Sequence, residues 1–308
     1  MNILSKIPVL LIFMFIQACD PVEIIQTLEF ELDITVDSIT FAVIGDYGNG
    51  SNDELLVSEL VKSWSPDFII TTGDNNYPNG DDESFEDNIA YYYGDYIYNY
   101  DASVYDRCNG VAFQDKVNRF FPSPGNHDDH NFHGLKYYQY YFTLPGNELY
   151  YKFFWGDVAF FSLNSTDRDI SEQNEWLEQE IQKSEKSYNI VYFHHSPYST
   201  GPHGNEAKMQ LDYQSLGVNA VLTGHDHIYS RIEKLDEPGL YYIINGLGGK
   251  SLYDCSANTL ETEDFSVVCY DENFGAIRGK ANSERLIMEF FSVDNNETPI
   301  DSLIINSK

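Results

Sequence analysis

Short apolar runs, each closed by a turn rich in Gly, Asp, Asn or His, recur along most of this chain. They predict strands over residues 40–44, 68–72, 120–123, 157–164, 189–194 and 220–223. Four more runs, at 241–244, 276–280, 285–293 and 302–305, are read as closing strands. A 3.6-residue period replaces alternation in two places. Leu55, Leu56, Leu60 and Val61 give residues 52–63 one buried helical face, and Trp176, Leu177 and Ile181 do the same for 171–184, with Ser171 offered as its N-cap. Strands alternating with helices or irregular stretches predict an α/β fold, and the lack of an internal repeat or low-complexity linker predicts one domain, from residue 38 to 308. The tyrosine-dense stretches 91–105 and 137–151 are read as core and edge-strand packing.

The first residues follow a different pattern. Lys6 precedes an apolar run from 7 to 16, too short to span a bilayer and suited to the core of a signal peptide, so residues 1–19 are set apart and 20–37, acidic and irregular, are read as a tether. Ile16-Gln17-Ala18-Cys19 resembles a lipoprotein box with Gln17 as its departure, leaving lipidation at Cys19, simple cleavage near Ala18 and an uncleaved anchor helix open. The expected outcome is export to the periplasm, the cell surface or the medium, and any membrane attachment runs through this segment alone. Export makes a Cys255–Cys269 disulfide permissible, with Cys108 left over.

Charge narrows the partners. The chain has 308 residues, 18 basic against 49 acidic, for a formal charge of −31. A field of that sign repels nucleic acid and anionic lipid, and it admits a phosphorylated substrate only where a site concentrates positive charge of its own. Bound metal ions are one way to do so.

Candidate chemistry gathers in five segments, each just after a predicted strand: Gly45-Asp46-Tyr47-Gly48, Gly73-Asp74-Asn75-Asn76-Tyr77, Gly125-Asn126-His127-Asp128, His194-His195-Ser196-Pro197 and Gly224-His225-Asp226-His227. Taken singly, each is an ordinary turn. In an open α/β sheet, however, loops at the carboxyl ends of strands meet in one crevice. Carboxylates, an amide oxygen and imidazoles brought together there form a mixed O/N set suited to iron, zinc or manganese.

These segments, in this order, resemble the metallophosphoesterases and, within them, the purple acid phosphatases. The resemblance covers about residues 40–235 and implies a four-layer α-β-β-α sandwich, two mixed β-sheets flanked by helices. Gly48 stands where many metallophosphoesterases carry a histidine, and Tyr77 stands where purple acid phosphatases supply a tyrosine. Carried over position by position, the resemblance implies that Asp46, Asp74, Tyr77 and His227 hold Fe(3+). Asp74, Asn126, His195 and His225 then hold a second divalent metal, Fe2+, Zn2+ or Mn2+. Between His194 and His195 the register of His195-Ser196-Pro197, and a strand face shared with Val191 and Phe193, favours His195. His127 and His203 match outer-sphere histidines that position substrate and protonate the leaving group, and Asp128 is expected to orient a histidine.

Three formal negatives on Asp46, Asp74 and a Tyr77 phenolate against five positives on a ferric–divalent pair leave an excess that binds an anion. The implied reaction is release of inorganic phosphate from small phosphate monoesters by in-line attack of metal-bound hydroxide, without a covalent enzyme intermediate. Rival readings are a phosphodiesterase or nucleotidase on the same scaffold and a non-catalytic surface lipoprotein.

Overall fold

A computed structural model describes residues 32–98, 117–130, 133–255 and 265–307. Cys19, Cys108 and the expected signal segment lie outside them. The first strands in chain order are β1 (Asp33–Ile34), β2 (Ser38–Ile44), β3 (Phe68–Thr71), β4 (Phe120–Pro122), β5 (Tyr151–Trp155), β6 (Val158–Ser162) and β7 (Tyr188–Tyr192). They are followed by β8 (Ala220–Thr223), β9 (Tyr229–Lys234), β10 (Tyr241–Asn245), β11 (Phe265–Tyr270), β12 (Gly275–Asn282), β13 (Arg285–Ser292) and β14 (Asp301–Asn306). The α-helices are α1 (Asn52–Ser63), α2 (Tyr91–Tyr93), α3 (Lys136–Tyr141), α4 (Ser171–Lys183) and α5 (Tyr213–Leu216).

Two mixed sheets result. One has eight strands in the order β1-β5-β6-β7-β8-β10-β9-β11, the other six in the order β14-β13-β12-β2-β3-β4. The strands that precede the candidate segments are parallel neighbours: β2, β3 and β4 in the smaller sheet, β7 and β8 in the larger. Their carboxyl ends therefore open on the same side of the molecule. The chain joins the larger sheet earlier than residue 38, because β1, inside the stretch read as a tether, pairs with β5 through Asp33 opposite Phe154. Strands β5, β9 and β11 were not picked out by pattern.

Alternation within the larger sheet assigns its two faces. On β7, Tyr188, Ile190 and Tyr192 join the core between the sheets, whereas Val191, with Phe193 beyond the strand, joins the core on the opposite face, which Leu177 and Ile181 of α4 cover. The inter-sheet core is knit by rings. Phe68 of β3 packs against Trp155 at 4.6 Å, Phe160 at 5.3 Å and Phe153 at 5.5 Å, all from the facing sheet. Truncating such a residue to alanine costs roughly 3–5 kcal/mol. This contact also fixes how the ends of the two sheets meet.

Helix α1 starts where the sequence expects it. Ser51 Oγ accepts the Glu54 N–H at 3.1 Å, and Glu54 reaches back to the N–H groups of Asn49 and Gly50 at 3.0 and 2.9 Å. The start of α4 differs from expectation. Ser171 is its first helical residue, and the carboxylate of Asp169 accepts both the Ser171 N–H and hydroxyl.

Candidate metal centre

The site is built at the junction of the two sheets, and each sheet supplies a different chemistry. Loops after β2, β3 and β4 carry Asp46, Asp74, Tyr77 and Asn126, the oxygen donors. Loops after β7 and β8 carry the imidazoles of His194, His195, His225 and His227. Asp46, Asp74 and His225 all hold positive φ, at 55°, 52° and 70°. A left-handed backbone costs a non-glycine residue of the order of 1 kcal/mol, and such strain gathers at functional sites.

On one side of Asp74 lies a phenol-centred group. The Tyr77 hydroxyl donates to Asp74 Oδ2 at 2.9 Å, with Asp46 Oδ1 at 3.3 Å and His227 Nε2 at 3.4 Å. His227 Nε2 is 3.4 Å from Asp46 Oδ1, and its other nitrogen meets Ser251 Oγ at 2.6 Å. On the other side, His194 Nε2 lies 3.3 Å from Asp74 Oδ1, 2.9 Å from Asn126 Oδ1 and 3.1 Å from His225 Nδ1. Asp46, Asp74 and His194 each offer a ligand atom within 4.8 Å of one another, and so do His194, His195 and His225.

This geometry changes the reading of the double histidine. His194 is fully buried and turned into the site, its Nδ1 meeting the Thr72 carbonyl at 2.9 Å. His195 lies further out, with Nδ1 against Ser165 Oγ at 2.9 Å and its ring 4.5 Å from that of His225. Both histidines of the pair offer a ring nitrogen to the cluster with His225, and His194 is the more deeply buried of the two. The site opens above the inter-sheet core, so His194, which continues Ile190 and Tyr192, also reaches Asp74 and Asn126, whereas His195, which continues Val191 and Phe193, meets the cluster only on its His225 side.

The remaining expected residues frame the pair. His127 donates its backbone N–H to Asp74 Oδ1 at 2.8 Å. Its Nδ1 meets the Pro78 carbonyl at 2.6 Å; a carbonyl only accepts, so the proton sits on Nδ1 and Nε2 is left toward Asp74 Oδ2, 3.9 Å away. His203 stacks on His225 at 4.1 Å, held by its N–H to Asp226 Oδ1 at 3.0 Å. Asp128 orients backbone rather than a histidine: its buried carboxylate accepts from Asn75 and Asn76 N–H, Asn75 Nδ2 and Gly125 N–H, all between 2.8 and 3.1 Å. Asp128 thereby locks the Asp74 loop to the Asn126 loop. Gly48 has no room for a side chain, because a Cβ would come within 1.6 Å of the Asn75 carbonyl oxygen. The first segment can therefore supply no donor from that position, and Tyr77 stands beside Asp46 instead. Thr72 and Ser165, just past the ends of β3 and β6, and Ser251, in the turn after β10, steer three histidines and carried no metal-site signal in the sequence.

The electrostatics fit a cationic guest. Burial alone would raise the Asp46 carboxyl, but the hydrogen bond and charge of His227 and the charge of His194 bring it below the usual range. Burial likewise opposes charge on His194, yet Asp74 and Asp46 hold its imidazole above the ordinary histidine value. Burial and the neighbouring acids push the Tyr77 phenol up. His195 is pushed down to about 3 by burial and the charge of His194, and His225 is lowered by the same two causes. Two carboxylates, a phenol, an amide oxygen and imidazoles converging at these distances form a donor set that favours positive charge.

An α/β sandwich with such donors at the parallel ends of both sheets has the fold and the donor set of a phosphoesterase with a candidate metal centre. More narrowly, residues 39–229 match the calcineurin-like phosphoesterase family, and the chain belongs to it. Among curated proteins it is similar to purple acid phosphatase 3 of Arabidopsis thaliana, 23% identical over 84% of this chain and 76% of that one. Tartrate-resistant acid phosphatase type 5 of Sus scrofa is 24% identical over 68% of this chain and 69% of that one. Among solved structures, the purple acid phosphatase PPD1 of yellow lupin superposes with a TM-score of 0.67 at 17% identity, covering 87% of this chain and 54% of its own. GAP50, titled the anchor in the inner membrane complex of Plasmodium, gives 0.65 at 17% identity, covering 89% and 90%.

Proposed function

We propose that this protein is an exported phosphatase of the purple acid phosphatase type, releasing inorganic phosphate from small phosphate monoesters. The observation that carries the reading is Tyr77, whose hydroxyl lies between Asp46, Asp74 and His227 where a tyrosine-free phosphoesterase would need another donor. Asp46, Tyr77 and His227 would hold one ion, ferric iron, for which a phenolate is a hard anionic partner; Asn126, His194 and His225 would hold a divalent neighbour, and Asp74 would serve both. When bound, such a pair supplies Lewis acidity toward a phosphoryl oxygen and acidifies water from a pKa of about 15.7 to near neutrality.

The chain's own groups prepare the rest. His203, stacked on His225 and tethered by Asp226, stands at the mouth where a departing alkoxide needs a proton. His127, with Nδ1–H committed to Pro78, presents Nε2 on the Asp74 side, where it accepts from or donates to a bound ester. His195 braces His225 through ring contact and Ser165. Export is supported by the Cys255–Cys269 disulfide, which an oxidising compartment maintains; among the described residues no helix is long and apolar enough to cross a membrane.

The test is phosphate release from an aryl phosphate monoester and the corresponding bis-ester, with the visible spectrum of wild type and Tyr77→Phe recorded alongside. A monoester preference and a visible band lost in Tyr77→Phe are expected. A bis-ester preference with no band would replace the reading with a phosphodiesterase, and absence of turnover on both would leave a binding protein.

A further inference from the structure

Residues 246–253 form a wall beside Asp46, Tyr77 and His227 that the five strand-end segments do not include. Its backbone is tied to the site throughout. Gly246 N–H donates to Ile228 O at 3.1 Å, Gly248 N–H to Gly45 O at 2.9 Å, Lys250 N–H to Asp46 O at 3.2 Å and Tyr253 N–H to His227 O at 3.0 Å. The Tyr253 ring stacks on His227 at 4.1 Å, nearly parallel. Gly249 holds φ +132°, and a Cβ there would strike Glu54 backbone at 2.6 Å, so the chain passes Lys250 in one direction only.

That direction places the Lys250 ammonium 4.5 Å above the Tyr77 ring. The side chain is exposed, and no described carboxylate lies within ion-pair distance of it. In a chain of charge −31, a cation beside two buried aspartates that neither of them neutralises is available to an incoming anion.

We infer that Lys250 is a specificity residue that contacts the phosphoryl group of the substrate, holding an oxygen that Asp46, Asp74, Tyr77 and the histidines do not address and favouring dianionic monoesters over monoanionic diesters. The identity of the anion rests on the phosphatase reading. Contact with Tyr77 keeps the long side chain over the site before the anion arrives, which reduces the entropy lost on binding.

Lys250→Met and Lys250→Arg in the metal-loaded full chain test this, with melting temperature as the control for folding. Equilibrium affinity for inorganic phosphate is measured by calorimetry, and KM, kcat and the visible band by steady-state kinetics and spectroscopy. Lys250→Met weakens phosphate and raises the monoester KM by about tenfold, the worth of one charged hydrogen bond, with a smaller change in kcat. It also lowers the monoester-to-diester ratio, and Lys250→Arg restores most of the loss. Phosphate affinity and KM equal to wild type would overturn the proposal. So would a shifted visible band and lower kcat at unchanged phosphate affinity, which would make Lys250 a modulator of Tyr77. If wild type released no phosphate from any ester, the phosphatase reading would fall, and phosphate affinity alone would still decide whether Lys250 binds the anion.

Discussion

The two halves of the site differ in how their donors are held. In the half from the six-stranded sheet, Asp46, Asp74 and Asn126 sit on tight glycine turns whose backbones are cross-locked by Asp128 and by Glu54 beneath Asn49 and Gly50. In the half from the eight-stranded sheet, the imidazoles are steered individually, His194 by Thr72, His195 by Ser165, His227 by Ser251, with rings stacked on one another. Rigidity therefore comes from shared carboxylates on one side and from single hydroxyls and carbonyls on the other. Damage to the first should be collective and damage to the second local.

Asp74 belongs to both halves, so Asp74→Asn should give the largest effect: loss of both metals by elemental analysis and a fall in kcat/KM of at least about a thousandfold. If one metal remained at full occupancy, Asp74 would not join the halves. Next come the paired substitutions His194→Ala and His195→Ala. The first should remove one metal and about a hundredfold or more of activity, the second should leave both metals bound and cost roughly tenfold, as loss of a supporting contact does. The reverse order would restore the His195 register.

Breaking the Cys255–Cys269 disulfide, which pins the far end of the wall carrying Ser251 and Tyr253, tests the imidazole half. The double Cys255→Ser/Cys269→Ser variant should lose about 3 kcal/mol of stability and loosen His227, read as weaker retention of one metal on dialysis. The smallest effect concerns Glu54, buried with Oε1 unpartnered and its carboxyl raised well above the usual range, chiefly by burial. A folded value above the unfolded one means stability is fully present below the unfolded pKa and is lost as pH rises through the folded one. Glu54→Gln should therefore raise the melting temperature at pH 8 by a few degrees, on the order of 1 kcal/mol, and change little at pH 4. Equal shifts at both pH values would mean that Glu54 does not titrate across that window.

The oxygen half was the more legible in sequence for the same reason that it is the more rigid. A glycine before an acidic or amide residue after an apolar run leaves a visible signature, which singles out Asp46, Asp74 and Asn126, whereas Tyr77 is singled out only by the family resemblance. The choice between His194 and His195 required knowing which face of β7 looks toward the other sheet, a property of the pairing between sheets and not of the local pattern. Asp128 was noticed but given a histidine to orient, because its true partners are backbone N–H groups, which have no letter in a sequence. Lys250 and Ser251 lie in a Gly-rich turn after β10 that carries no His or Asp. Strands β5, β9 and β11 escaped because a polar or charged residue interrupts their apolar runs, Lys152 in β5, Ser230, Arg231 and Glu233 in β9 and Ser266 in β11, whereas β3 and β8 begin with three apolar residues in a row.

The central claim is that one buried cluster, built from both sheets, holds two metal ions. Metal content per chain, measured by elemental analysis on the purified protein together with His194→Ala, tests it most directly. The account predicts about two ions in wild type, one of them iron, and about one in the variant; wild type with no stoichiometric metal, or a variant retaining both ions, would contradict it.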